Sequence, residues 1–112
     1  MLDTEKVPAA AIAARNDELR KCLPNPLPFP HQAVMTDEIA SLPDVKIQTV
    51  LGMVRDFDTF TPDCDPYGER DFGSFDFEGQ KIFWKFDYYD VTRKYFEENG
   101  NRVLTIMFAS EY

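Results

Sequence analysis

Residues 73–88 alternate with a period of two. Gly73, Phe75 and Phe77 share one parity, and Ser74, Asp76 and Glu78 the other. Beyond Glu78-Gly79-Gln80 the pattern resumes, with Ile82, Trp84, Phe86 and Tyr88 set against Lys81, Phe83, Lys85 and Asp87. Successive side chains of a strand point to opposite faces. The pattern therefore demands a β-hairpin with one buried face, because on a helix the same residues would spread around the axis. Glu78-Gly79-Gln80 supplies the turn. Lys81 and Lys85 are expected to meet Asp76 and Glu78 across the pair. Residues 90–101 form a polar excursion that holds Tyr95 and Phe96 and closes at Asn99-Gly100. Val103 to Phe108 is apolar on both faces, which places it centrally in the sheet. Tyr67, Tyr89, Tyr95 and Phe96 are the aromatics expected to stay partly exposed.

A hairpin needs a layer to cover it. Ile47, Val50, Leu51, Val54 and Phe57 recur at helical spacing and predict a helix over 43–57, opened by a capping box from Ser41 to Asp44. Gly52 inside it suggests close packing. An Ala-rich segment behind Pro8 predicts a first helix over 8–22, with Ile12, Asn16, Leu19 and Leu23 on one stripe. Arg20 and Lys21 there suit the negative end of the macrodipole. Pro24 to Pro30 alternates proline with other residues and reads as an extended, polyproline-like connector. His31 to Met35 reads as an edge strand, and Thr36-Asp37 as the cap of a helical turn running to Leu42. Residues 1–7 are expected to be disordered. The fold class is α+β in a single domain, 1–112: two helices packed on a small antiparallel β-sheet, a meander in the C-terminal half.

Charge is concentrated in one place. Residues 56–78 carry eight acids (Asp56, Asp58, Asp63, Asp65, Glu69, Asp71, Asp76 and Glu78) against Arg70, a local −7 in a chain of net −8. With 12 bases against 20 acids, direct nucleic-acid binding lacks its Lys/Arg footprint. A basic groove on another protein is the complementary partner. No apolar run reaches bilayer-spanning length and no signal peptide is read, so the expected compartment is the cytosol and no membrane contact is expected. Cys22 and Cys64 are then read as free thiols.

Catalytic inventories are thin. Asp63 to Gly68 resembles the start of a calcium loop, but position five is Tyr67 and position twelve Ser74, so no metal is assigned. A turn in which Asp63 and Asp65 hydrogen-bond their own backbone accounts for the same residues. Asp63, Asp65, Glu69 and Asp71 are candidate paired carboxylates for acid–base work, a role that requires burial. His31 is the single histidine, expected to be exposed or bonded locally, and no nucleophilic triad can be assembled. Cys64 between aspartates is a poor thiolate. No cofactor is implied.

Several stretches together resemble a known family: Asn16-Asp17 with Leu19-Arg20, Phe57 to Asp63, Asp65 to Glu69, Asp71-Phe72-Gly73, Phe83-Trp84-Lys85, Asp87 to Asp90, and Arg102 to Met107. The family consists of short bacterial proteins catalogued as a domain of unknown function and common on mobile elements. This chain departs from it at Cys64, where Asn is usual, and at Arg70, where His is usual. The resemblance implies gene-mobility cargo, a setting in which small acidic proteins inhibit restriction or CRISPR enzymes. The leading expectation is thus a non-enzymatic, nucleic-acid-mimicking inhibitor, anti-CRISPR or anti-restriction. Asp56, Asp58, Asp63, Asp65, Glu69, Asp71 and Asp76, with Tyr67 as anchor, would bind the basic nucleic-acid-binding groove of a protein partner. The alternative is a small metal-binding or carboxylate-based enzyme using residues 63–71. A third reading is a subunit that self-associates through its aromatic face.

Overall fold

The computed structural model describes residues 8–89 and 101–112, without the side chain of Tyr89. The expected disorder of residues 1–7 and the excursion with Tyr95 and Phe96 lie outside the described residues. In chain order the elements are α1 (Ala9–Arg20), β1 (Gln32–Met35), α2 (Asp37–Ala40), α3 (Asp44–Asp56), β2 (Phe72–Phe77), β3 (Gln80–Tyr89) and β4 (Asn101–Phe108), then a 3-10 turn at Ala109–Glu111.

The hairpin forms where the alternation requires it. β2 and β3 pair antiparallel with Phe77 opposite Gln80, leaving Glu78 and Gly79 as the two-residue loop. Both have positive φ, 51° and 83°, the conformation whose twist matches the flanking strands. Asp76 lies opposite Lys81 and its carboxylate accepts from Nζ at 3.4 Å. Glu78 pairs instead with Lys46 of α3, and Lys85 with Asp87. The two-residue loop sets Glu78 beyond the paired residues, where the α3 lysine reaches it.

The sheet order is β1-β4-β3-β2, so β4 is internal, as its two apolar faces indicated. The expectation of a purely antiparallel sheet is corrected: β1 runs parallel to β4, with Gln32 opposite Val103 and Met35 opposite Ile106. A strand formed before two helices returns to the sheet with the direction its crossover allows, and alternation within one strand carries no direction. Among the described residues there are three α-helices rather than two, because the turn at Asp37–Ala40 is a helix of its own with Ile39 fully buried.

The core lies on one face of the sheet. Ile82, Trp84, Phe86, Leu104 and Ile106 meet Val50, Leu51 and Val54 of α3, Ile39 of α2 and Leu19 of α1. Ile47 and Phe57 complete the α3 stripe at its margins. Each fully buried aliphatic side chain contributes about 2 kcal/mol. Gly73 lies against the Trp84 indole: a Cβ there would stand 2.4 Å from Nε1. By contrast Gly52 has no close neighbour element, only Arg55 Nη2 at 3.5 Å, so the close packing read there is corrected.

Caps depart from expectation as well. Neither Thr36 nor Pro43 makes a side-chain cap bond, and Ser41 Oγ donates back to Asp37 O at 2.8 Å instead of opening α3. The 24–30 segment is not a straight connector. Asn25 N donates to Cys22 O and His31 N to Pro28 O, so the chain turns twice. Leu23 and Leu27 enter the core from it.

Candidate functional site

The acidic segment divides into a half that is built into the molecule and a half that projects from it. The built-in half centres on Asn16, fully buried on α1. Its Nδ2 donates to Tyr88 OH at 2.9 Å and to Glu69 O at 3.1 Å, and its Oδ1 accepts from Arg102 Nε at 2.9 Å. Tyr88 OH in turn donates to Asp71 Oδ2 at 3.3 Å. A continuous chain of bonds therefore runs from β4 through α1 and β3 to the end of the acidic loop. Arg102 N also donates to His31 Nδ1 at 3.1 Å. His31 is buried, against the expectation of an exposed or locally bonded ring, because the turns at 24–30 fold it inward. Its Nε2 lies 3.3 Å from Arg15 Nη2.

Arg20 supplies a second anchor. It is buried, and its Nη1 donates to Val54 O at 2.7 Å and Phe57 O at 2.9 Å, carbonyls at the end of α3. Its guanidinium lies over Trp84 at 4.7 Å and Phe60 at 5.4 Å. The macrodipole it complements is thus that of α3 as well as its own helix. Asp17 bridges Arg20 Nη2 at 2.8 Å to Arg70 Nη1 at 2.9 Å. Arg70 has φ +54°, its N–H donates to Asp65 Oδ1 at 3.0 Å, and its guanidinium caps Phe60 at 4.9 Å. These contacts fold the loop back against α1.

Electrostatics follow from that burial. Desolvation, then the neighbouring Asp71 charge and its hydrogen bond, hold Glu69 above the ordinary carboxyl range. Burial likewise raises Asp71, although the bond from Tyr88 opposes it. Burial pushes the Tyr88 phenol up, so it remains a donor. His31 is lowered by burial and then by Arg15 and Arg102. Glu69 and Asp71 are thus neighbouring carboxyls that burial makes harder to ionise.

The projecting half comprises Asp58, Asp63 and Tyr67, all exposed, with Asp65 at its base. Tyr67 is 78% exposed. The turn beneath is closed by Cys64 N and Asp65 N donating to Thr61 O, and by Gly68 N donating to Asp65 O. Two open grooves flank it. One, about 430 Å³, is lined by Phe60, Pro62, Asp65, Pro66 and Tyr67. The other, about 370 Å³, is lined by Met53, Asp56, Phe57, Asp58 and Phe75. Asp56 is bound by Arg55 at 2.8 Å and its acidity is strengthened by that bond. Asp76 stands on β2 with Lys81. The eight sequence-nominated residues are therefore not one surface: Asp58, Asp63 and Tyr67 project, Asp65 sits half-buried beneath them with its carboxylate accepting from Arg70 N, Glu69 and Asp71 are built in, and Asp56 and Asp76 are ion-paired.

Sequence reading passed over Asn16, Asp17, Arg20, Tyr88 and Arg102 as site residues. A signal existed for three of them. Asn16 sits on the apolar stripe of α1, and Tyr88 and Arg102 fall on the inward parity of their strands. A polar group at an inward position must find partners.

Among the described residues no group of three or more His, Cys, Asp or Glu side chains is arranged to hold a metal ion. No described helix is long and apolar enough to cross a membrane. No curated protein and no solved structure matches the chain. Residues 35–111 match the profile of the family described as Protein of unknown function (DUF3768). That span takes in the loop, the hairpin and β4, and the chain belongs to the DUF3768 family.

Proposed function

We propose that the protein is a non-enzymatic acidic interaction protein that mimics nucleic acid and occupies the Lys/Arg-lined groove of a nucleic-acid-processing enzyme, in the manner of an anti-restriction or anti-CRISPR inhibitor. The observation that carries this reading is the projecting tip. Tyr67 stands 78% exposed beside exposed Asp63, on a turn held from behind by Arg70, Asp17 and Asn16. A rigid aromatic next to carboxylates loses little conformational entropy on binding and matches a cationic surface. Asp58, Asp63 and Asp65 supply the charge and Tyr67 the anchor. Asp56, Asp76, Glu69 and Asp71 contribute to the field more than to contact.

The test uses the protein immobilised in a bacterial lysate at low salt. The captured partner is expected to elute with added salt and with a short DNA duplex, because both compete for the same cations. A partner that stays bound in excess duplex contradicts mimicry.

A carboxylate-based activity has one observation in its favour, the neighbouring Glu69 and Asp71 carboxyls, both raised by burial. Calorimetry with calcium, magnesium and manganese separates the metal-dependent form of this reading, since a mimic gives no ion-binding heat.

A further inference from the structure

The two edges of the sheet are guarded differently. β2 carries exposed Asp76 and is flanked by Glu78 and the acidic loop, the kind of charge that keeps an edge from pairing with another chain. β1 carries no charge, all four of its residues are exposed, and no described strand pairs with its outer side. Thr36 N donates to Ile106 O, and Met35 lies opposite Ile106. In a parallel pair this register turns residues 34 and 36 toward β4, so the N–H and C=O groups of Ala33 and Met35 point away from the sheet. Phe29, 95% exposed, and Val34 and Met35, each a little over one-third exposed, add an apolar patch at the same edge.

Charge decides what can meet this edge. Residues 21–36 contain no Asp or Glu and a single Lys, in a chain of net −8. Two copies of the protein repel one another through most of their surface. Exposed Asp37 and Glu38, with Glu111 bonded to Thr36, stand at one end of this stretch only, so two copies in antiparallel register keep these carboxylates at opposite ends of the contact.

We propose that β1 is a self-association edge, at which a second copy pairs its own β1 antiparallel to the first. A twofold axis through the edge requires the antiparallel direction. The outward groups of Ala33 in one copy then bond those of Met35 in the other, and the two Val34 side chains meet at the axis. The result is a continuous eight-stranded sheet with a β2 edge at each end, which leaves both acidic tips free. Self-association at this edge is independent of what the acidic tip binds.

Sedimentation equilibrium tests it. The wild type is expected at twice the 13.0 kDa chain mass, and added salt should strengthen the dimer by screening like charge. That sign is opposite to salt-weakened binding at the acidic tip. Val34→Lys places two ammonium groups at the axis and should raise the dimer Kd by about tenfold or more. Ala33→Pro removes an outward N–H without touching the β4 ladder and should do the same. Circular dichroism checks that each variant folds. If Ala33→Pro does not, Val34→Lys decides, since it alters an exposed side chain alone. A wild type that sediments as monomer at its highest soluble concentration overturns the proposal, as does a dimer indifferent to Val34→Lys.

Discussion

The projecting and built-in halves of the acidic segment are made from the same residue types and behave oppositely. Around Thr61–Gly68 Asp63 faces solvent and the backbone satisfies itself through tight turns. Three residues beyond Gly68, Asp71 is half-buried and hydrogen-bonded to Tyr88, and the Glu69 backbone is held by Asn16. Local charge in a sequence therefore measures how many acids are present, not how many are presented. The built-in half fixes the loop and the projecting half is what the loop displays.

Breaking the anchor should have the largest effect. Arg20→Met leaves the α3 carbonyls and Asp17 without their buried partner, and is expected to lower stability by about 3–5 kcal/mol in denaturant unfolding. Asn16→Leu should cost about 3 kcal/mol, since Tyr88, Arg102 and the Glu69 carbonyl each lose a bond. A variant within 0.5 kcal/mol of wild type, about the scatter of ordinary surface changes, would show that the loop is held some other way. Gly73→Ala forces the Trp84 indole to move and should cost about 1–3 kcal/mol.

The pH dependence sharpens the same contrast. Glu69 and Asp71 are raised in the folded state, so the folded state binds protons more tightly than the unfolded chain. Their contribution to stability therefore rises as pH falls through their folded values. His31 is lowered, so its contribution is present above the ordinary imidazole value and declines as pH falls through it toward the folded value. Asp71→Asn should flatten the acid-side gain in a series of thermal melts, and His31→Gln the loss near neutrality. An unchanged profile in Asp71→Asn removes burial as the cause. At the small end, Tyr67→Ala should leave stability within about 0.5 kcal/mol of wild type while weakening partner capture.

Much of the fold was legible because periodicity is a backbone property. The hairpin and its inward parity, the α3 stripe at Val50, Leu51 and Val54, and the interior position of β4 all follow from residue spacing. The parallel β1–β4 pair was not, since a four-residue strand carries no signal of direction. The built-in site was half legible. Asn16 interrupts an apolar stripe and Arg102 an inward parity, which marks both as buried polar groups. Their partners lie 53 to 86 positions away in sequence, and only the tertiary fold brings them together.

Charge-matched neutralisation tests the division most directly. Asp58→Asn with Asp63→Asn removes two charges from the projecting half, and Asp76→Asn with Glu78→Gln removes two from the hairpin. A short oligo-arginine peptide serves as the cationic probe in titration calorimetry at low salt. The account predicts that the first pair weakens binding by about tenfold or more, whereas the second shifts it by no more than about twofold, the scale of screened surface charge. Equal losses from both pairs would contradict it, because binding would then follow net charge and not the tip.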